Sequence, residues 1–119
     1  MEIKELEANY TYDSRIDVVN IEVKQEYDYE VSLDLEPGVY LHFDDNYFPM
    51  GLEIIDASKK MGVNKLFLAN PTGNVEIIID EESINVKIVF ENMEENGIFN
   101  LNSNTESFIP NLETKFALV

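Results

Sequence analysis

The sequence predicts a mainly β protein: antiparallel hairpins forming a two-sheet sandwich or a partly open barrel, with one short helix near residues 57–61. Two hairpins and one set of helix signals carry that expectation. In the first hairpin, Val39, Leu41 and Phe43 alternate with Tyr40 and His42, and Leu52 and Ile54 alternate with Glu53 and Ile55. Setting Asp44 opposite Pro49 pairs Phe43 with Met50, Leu41 with Leu52 and Val39 with Ile54. A slip of one residue would bring Leu41 against Gly51 or Glu53, so the pattern selects its own register. In the second hairpin, Val75 to Ile79 and Ile84 to Phe90 flank Asp80-Glu81-Glu82-Ser83. Pairing Ile79 with Ile84 sets Ile77 opposite Val86, Val75 opposite Ile88 and Glu76 opposite Lys87, so packing and charge agree. Between the hairpins, Asp56 is a helix N-cap residue, Lys59 and Lys60 suit a C-terminal turn, and Gly62 suits a left-handed C-cap. A longer helix over residues 57–66, covering one sheet face, would make the fold α+β instead.

The remaining elements follow in order. Residues 1–8 read as a helical turn through Ile3 and Leu6 or as a strand. Tyr10 and Tyr12 alternate with Thr11, predicting a strand over Asn9 to Asp13. Asp13-Ser14-Arg15 has turn chemistry, with Asp13 and Asp17 placed to cap the turn or oppose Arg15. Val18 to Val23 alternates again, with Val19, Ile21 and Val23 on one face. Tyr27 to Leu35 has the cleanest alternation: Tyr27, Tyr29, Val31, Leu33 and Leu35 against Asp28, Glu30, Ser32 and Asp34. One face is buried and the other wet and negative. Pro37-Gly38 ends that strand. Leu66 to Leu68 predicts a short strand and Asn70 to Asn74 a loop. Asn92 to Asn96 predicts an acidic turn, Ile98 to Leu101 a strand, Asn102 to Asn111 a loop, and Thr114 to Val119 a last strand.

At 119 residues the chain is read as a single domain, a hairpin half over 1–62 and a meander half over 63–119. A chain of this length buries about two-thirds of its unfolded surface. It has no cysteine, which excludes disulfides, thiolate zinc sites and cysteine nucleophiles. The first ten residues carry no basic and apolar regions of a secretion signal, and no apolar run could span a bilayer as a helix. A cytoplasmic location is the expectation. The formal charge is −16, with 15 acids and 3 bases in residues 1–56 against 9 acids and 5 bases in residues 57–119. That field repels nucleic acid and anionic membranes and favours cationic partners. No glycine-rich phosphate loop and no basic patch with aromatics is present.

Residues 12–58 support a resemblance. Tyr12 and Asp13, Asp17 to Ile21, Pro37-Gly38 and the run Gly51-Leu52-Glu53-Ile54-Ile55-Asp56-Ala57-Ser58 resemble the pattern of short, uncharacterised bacterial and archaeal domains of about fifty residues. The resemblance covers about 40% of the chain, and Gly51 to Ser58 is its most specific part. Asn20 stands where the family has Tyr, and Tyr47 where a turn glycine is expected, which implies a reshaped hairpin loop. The family has no assigned activity. Its members are often encoded beside small basic proteins suspected to be toxins, which implies an antitoxin-like binding role in a prokaryote. The resemblance does not extend to residues 63–119, which carry no recognised pattern.

Two function classes remain. The first is a non-catalytic binding module that docks a basic protein through Asp28, Glu30 and Asp34, or self-associates through a strand edge into a homo-oligomer. The second is a small ligand-binding protein or enzyme using Tyr40, His42 and Glu53, which the register brings together over Gly51 on the outer hairpin face. The sequence favours the first. With a single histidine, no multi-histidine metal site or histidine dyad exists, and no cofactor or metal is expected. Counting from Asp44, an EF-hand would need Gly where Pro49 stands and Glu where Ile55 stands, so Asp44-Asp45-Asn46 fails the calcium pattern. Loose acidic loops leave only weak divalent-cation binding.

Overall fold

The computed structural model describes residues 4–69, 71–91 and 97–119. Nine strands form one continuous sheet: β1 (Lys4–Asp13), β2 (Val18–Val23), β3 (Tyr29–Glu36), β4 (Val39–Asp44), β5 (Pro49–Ile55), β6 (Gly73–Ile79), β7 (Ser83–Phe90), β8 (Ile98–Asn104) and β9 (Leu112–Leu118). Their order across the sheet is β3-β4-β5-β2-β1-β9-β6-β7-β8. The sheet curls into a nearly closed barrel, mainly β as the sequence predicts. β3 and β8, the two ends of the order, come within 8 Å of each other but share no ladder. Every neighbouring pair is antiparallel except β1 and β9, which run parallel and join the N-terminal to the C-terminal strands. A side-chain bond ties the same seam, the Thr114 hydroxyl donating to the Lys4 carbonyl at 2.7 Å.

The alternation read from the sequence becomes the inside and outside of the barrel. Val19, Ile21, Leu41, Leu52, Ile54, Val75, Ile77, Ile88 and Phe116 are buried inward. The second hairpin has the predicted register at every pair, Glu76 opposite Lys87 included. In the first, Val39 meets Ile54, Leu41 meets Leu52 and His42 meets Gly51, but Phe43 meets Pro49. A bulge absorbs Met50, which stays buried, so the expected Phe43–Met50 pair does not form. Tyr47 takes the left-handed conformation of the expected turn glycine (φ 57°). The Asp44 carboxylate holds the loop, accepting from the Asn46 and Phe48 N–H groups at 2.9 Å each.

α1 (Ala57–Met61) is short, and Gly62 closes it with φ 65°, so the longer helix of the α+β alternative does not form. Asp56 occupies the N-cap position in a left-handed conformation, yet its side chain makes no capping bond. Residues 65–68 form a 3-10 turn (Lys65–Leu68) instead of the expected strand, because the Asn64 side chain accepts from the Leu66 N–H and starts a turn. β8 runs on to Asn104, through part of the expected loop. The acidic turn at Asn92 to Asn96, Ile3, and Asn70 of the loop before β6 lie outside the described residues. Among the described residues, no helix is long and apolar enough to cross a membrane.

Candidate functional site

Register places His42 in a row that crosses the outer face of four strands: Ser32 on β3, His42 on β4, Gly51 on β5 and Glu22 on β2. The neighbouring row holds Asp34, Tyr40, Glu53 and Asn20. Tyr40, His42 and Glu53 therefore share one half-buried outer patch, as the hairpin register predicts. No hydrogen bond joins Tyr40 to Glu53 among the described residues. His42 is tied instead to β3: its Nδ1 lies 2.6 Å from the Ser32 hydroxyl, which lies 2.8 Å from the Tyr29 hydroxyl. The Tyr29 ring meets the His42 ring edge-on.

Tyr29 reaches that position through a bulge. The β3–β4 register jumps between Tyr29 and Val31, so Tyr29 pairs with the outward Asp44 and is 60% exposed rather than facing the core. The row of Asp28, Glu30 and Asp34 is bent by the same bulge. Asp28 precedes the strand, Glu30 sits in the bulge, and Asp34 alone keeps the outward register, opposite Tyr40. All three carboxylates are exposed.

Gly51 leaves a gap that Glu22 fills: a Cβ added there would lie 3.1 Å from the Glu22 carboxylate. The Tyr27 hydroxyl donates to that carboxylate at 2.9 Å. Burial, together with the Glu22 charge, pushes the Tyr27 phenol up to about 12, so it stays a neutral donor. Glu22, Gln25, Glu26, Tyr27 and Asp28 line a shallow recess at this end of the wall. Sequence reasoning missed Glu22 and Tyr27, since only the pairing of β2 with β5 brings them to Gly51.

A second cluster gathers residues far apart in the chain. Asp17, 7% exposed, accepts from the Tyr12 hydroxyl at 2.6 Å, the Ser58 hydroxyl at 2.7 Å and the Ser58 N–H at 3.1 Å. Its carbonyl accepts from the Ala57 N–H. Asp17 thus caps α1 from the β1–β2 turn, the task expected of Asp56. Burial alone would raise the Asp17 carboxyl; the bonds from Tyr12 and Ser58 and the Lys65 charge outweigh it and hold the carboxyl below its ordinary value. Burial and the bond to Asp17 push the Tyr12 phenol up to about 12. Asp13 plays the other role expected of this turn, pairing with Arg15 at 3.0 Å on the surface. With the side-chain oxygens of Tyr12, Asp17 and Ser58 all turned on one another, the chemistry of the cluster is that of a staple.

No group of three or more metal-ligating side chains occurs among the described residues. Two clefts lie where the barrel stays open, along β8. One of about 240 Å³ reaches inward to Val39, Ile54 and Ile88 beneath Glu36, Lys60 and Phe99. The other, of about 510 Å³, lies between Leu35, Glu82 and Asn102 to Asn104.

No curated protein and no solved structure matches the chain. Residues 9–58, which contain the Asp17 staple and the acidic wall from β2 to β5, match the model of a family described as a protein of unknown function (DUF2283).

Proposed function

We propose that the protein is a non-catalytic binding module whose acidic wall docks a basic protein, in the manner of an antitoxin holding its partner. The observation that carries this reading is the arrangement of charge by strand. On the C-terminal strands the outer face alternates in sign: Glu5, Lys115, Glu76 and Lys87 stand opposite one another from β1 through β9 and β6 to β7. On the N-terminal strands Glu22, Asp34 and Glu53 face Gly51, Tyr40 and Asn20, with no basic register partner. Exposed Glu30 and Glu36 extend this wall. Unpaired like charges of this kind repel each other, and a cationic partner relieves the repulsion. The recess at Glu22, Glu26, Tyr27 and Asp28 offers a Lys or Arg side chain both carboxylates and an aromatic ring.

Affinity capture from source cells tests this, with partners identified by mass spectrometry. A triple variant, Asp28→Asn, Glu30→Gln and Asp34→Asn, serves as the comparison. The expected outcome is a basic partner, held at low salt, released as salt rises, and captured poorly by the triple variant. A partner retained equally by both proteins at all salt concentrations would remove the acidic wall from the interface.

A further inference from the structure

At Asn100 and Asn102 the outer edge of β8 is an open half-ladder, and we propose that it receives an extended basic segment of the partner as an additional strand. The inference rests on the acidic-wall reading and adds the backbone to it. The phase of the β7–β8 ladder fixes which backbone groups are free. The Phe90 N–H donates to the Gly97 carbonyl at 2.9 Å, and the Thr105 N–H donates to the Glu82 carbonyl at 3.3 Å. In an antiparallel pair bonded and non-bonded residues alternate. Gly97, Phe99, Leu101, Ser103 and Thr105 therefore turn their backbone groups toward β7. Asn100 and Asn102 turn theirs outward, toward the gap before β3, where no ladder meets them.

Three features mark this edge as a binding edge. Edge strands of soluble proteins are blunted by charges, prolines, bulges or cover. β8 (IFNLNSN) has neither a charge nor a proline, and it is the one strand of the nine without a charged residue. Its register against β7 is unbroken from Asn104 to Ile98, so no bulge interrupts it. Residues Ile98 to Asn104 of β8 line the two clefts, so β3 stands beside this strand without packing tightly over it.

The clefts also select the occupant. Inward-pointing side chains of an added strand would enter the smaller cleft, against Val39, Ile54, Met61 and Phe99. Outward-pointing ones would lie between β8, which carries no charge, and the exposed carboxylates of Asp34 and Glu36 on β3. Alternating apolar and basic residues match both sides. Room must be made, since β3 and β8 approach within 8 Å, whereas an intervening strand needs about 9.5 Å between them. β3 is the strand that can yield: it is bulged at both ends, and of its residues only Leu35 is buried.

Binding is tested on the whole chain with short fluorescent peptides of alternating Lys and Val, Lys and Pro, or Glu and Val, read by anisotropy. Lys/Pro keeps the charge but lacks half of the N–H donors. The Asn102 N–H points away from β7, so Asn102→Pro spares the existing ladder and blocks a new one. The Lys/Val peptide should bind, and Asn102→Pro should weaken it about ten-fold, the worth of one or two net hydrogen bonds. Lys/Pro should bind weakly to both proteins. Should the proline disturb the hairpin, amide exchange in the wild-type chain decides: Lys/Val should slow exchange at Asn100 and Asn102 and leave the already bonded Leu101 unchanged. Equal binding of Lys/Val and Lys/Pro, abolished by the triple neutralised variant, would sink the edge and leave the acidic wall standing. Protection of Asn100 and Asn102 by Glu/Val as strong as by Lys/Val would keep the edge and overturn its basic occupant. No binding of either lysine peptide would overturn both.

Discussion

Asp17 concentrates more of the molecule in one side chain than any other residue. Its backbone is left-handed, φ 57°, a conformation that Asp and Asn tolerate better than other non-glycine residues. Its carboxylate joins β1, the β1–β2 turn and α1. Ser58→Ala removes a hydroxyl bonded to a largely buried charge and should cost about 1.5–3 kcal/mol, measured by urea denaturation. Because the fold holds the Asp17 carboxyl below its ordinary value, the stability it contributes is complete above the unfolded-state value of about 3.9 and is lost as pH falls below that. Asp13, held down by its bonds to Arg15, and Asp80, held down by the Glu82 and Ser83 N–H groups, act with the same sign. Acid also relieves the repulsion of a −16 chain, so stability should rise on acidification to about pH 5 and fall below about pH 4. Asp17→Asn keeps the backbone conformation and should flatten the acid side of that profile. An unchanged acid limb would show that the staple is not what acid breaks. The residues of this staple were visible in the sequence as parts of a pattern, Tyr12, Asp17, Ala57 and Ser58. Their meeting was not, because it depends on how β2 and β5 pair.

At the level of elements, the sequence carries the hairpins and hides the bulges. Alternation decides register by burial, and Leu41 and Ile77 have no exposure at all. Leu41→Asp or Ile77→Asp should prevent folding, since either strands an unpaired carboxylate in the core at a cost of several kcal/mol against about 5–15 kcal/mol in all. Comparable urea midpoints for these variants and an exposed control such as Asp28→Asn would contradict the strand faces. A bulge keeps the alternation within each flanking segment and shifts its phase across the extra residue, as Tyr29 and Val31 show, and neither Met50 nor Glu30 marks in the sequence where that shift falls. The glycine that closes α1 and the one that opens β6 show how different their demands are. At Gly73 (φ 148°) an added Cβ would lie 1.9 Å from the Val89 carbonyl oxygen, while at Gly62 (φ 65°) it would meet nothing within 4 Å. Gly62→Ala should cost only the left-handed strain, about 1–2 kcal/mol. Gly73→Ala forces β6 and β7 apart and should cost about 4 kcal/mol or more by the same denaturation assay.

For the whole molecule, what matters is that two differently charged walls share one barrel. The parallel pairing of β1 with β9 was not legible, because a strand at one end of the chain carries no mark of its partner at the other. That pairing nonetheless decides the electrostatics. It sets Lys115 between Glu5 on β1 and Glu76 on β6, so one lysine stands opposite carboxylates on both sides. These are register neighbours on a solvent-facing surface, worth a few tenths to about 1 kcal/mol per pair, and like charges directly opposite are destabilising by a similar amount. Lys115→Glu would set three carboxylates side by side across the seam and should lower stability by about 1–2 kcal/mol at low salt. Raising the salt shortens the screening length from about 30 Å at 0.01 M to about 8 Å at 0.15 M, so the wild-type protein should itself gain stability. The deficit of the variant should shrink over the same range. Lys24→Glu, at an exposed position just beyond β2 and away from this row, is the control and should shift the midpoint less. Equal losses for the two variants would mean that total charge alone sets the stability, and that the alternation of Glu5, Lys115, Glu76 and Lys87 does not hold the two halves of the barrel together.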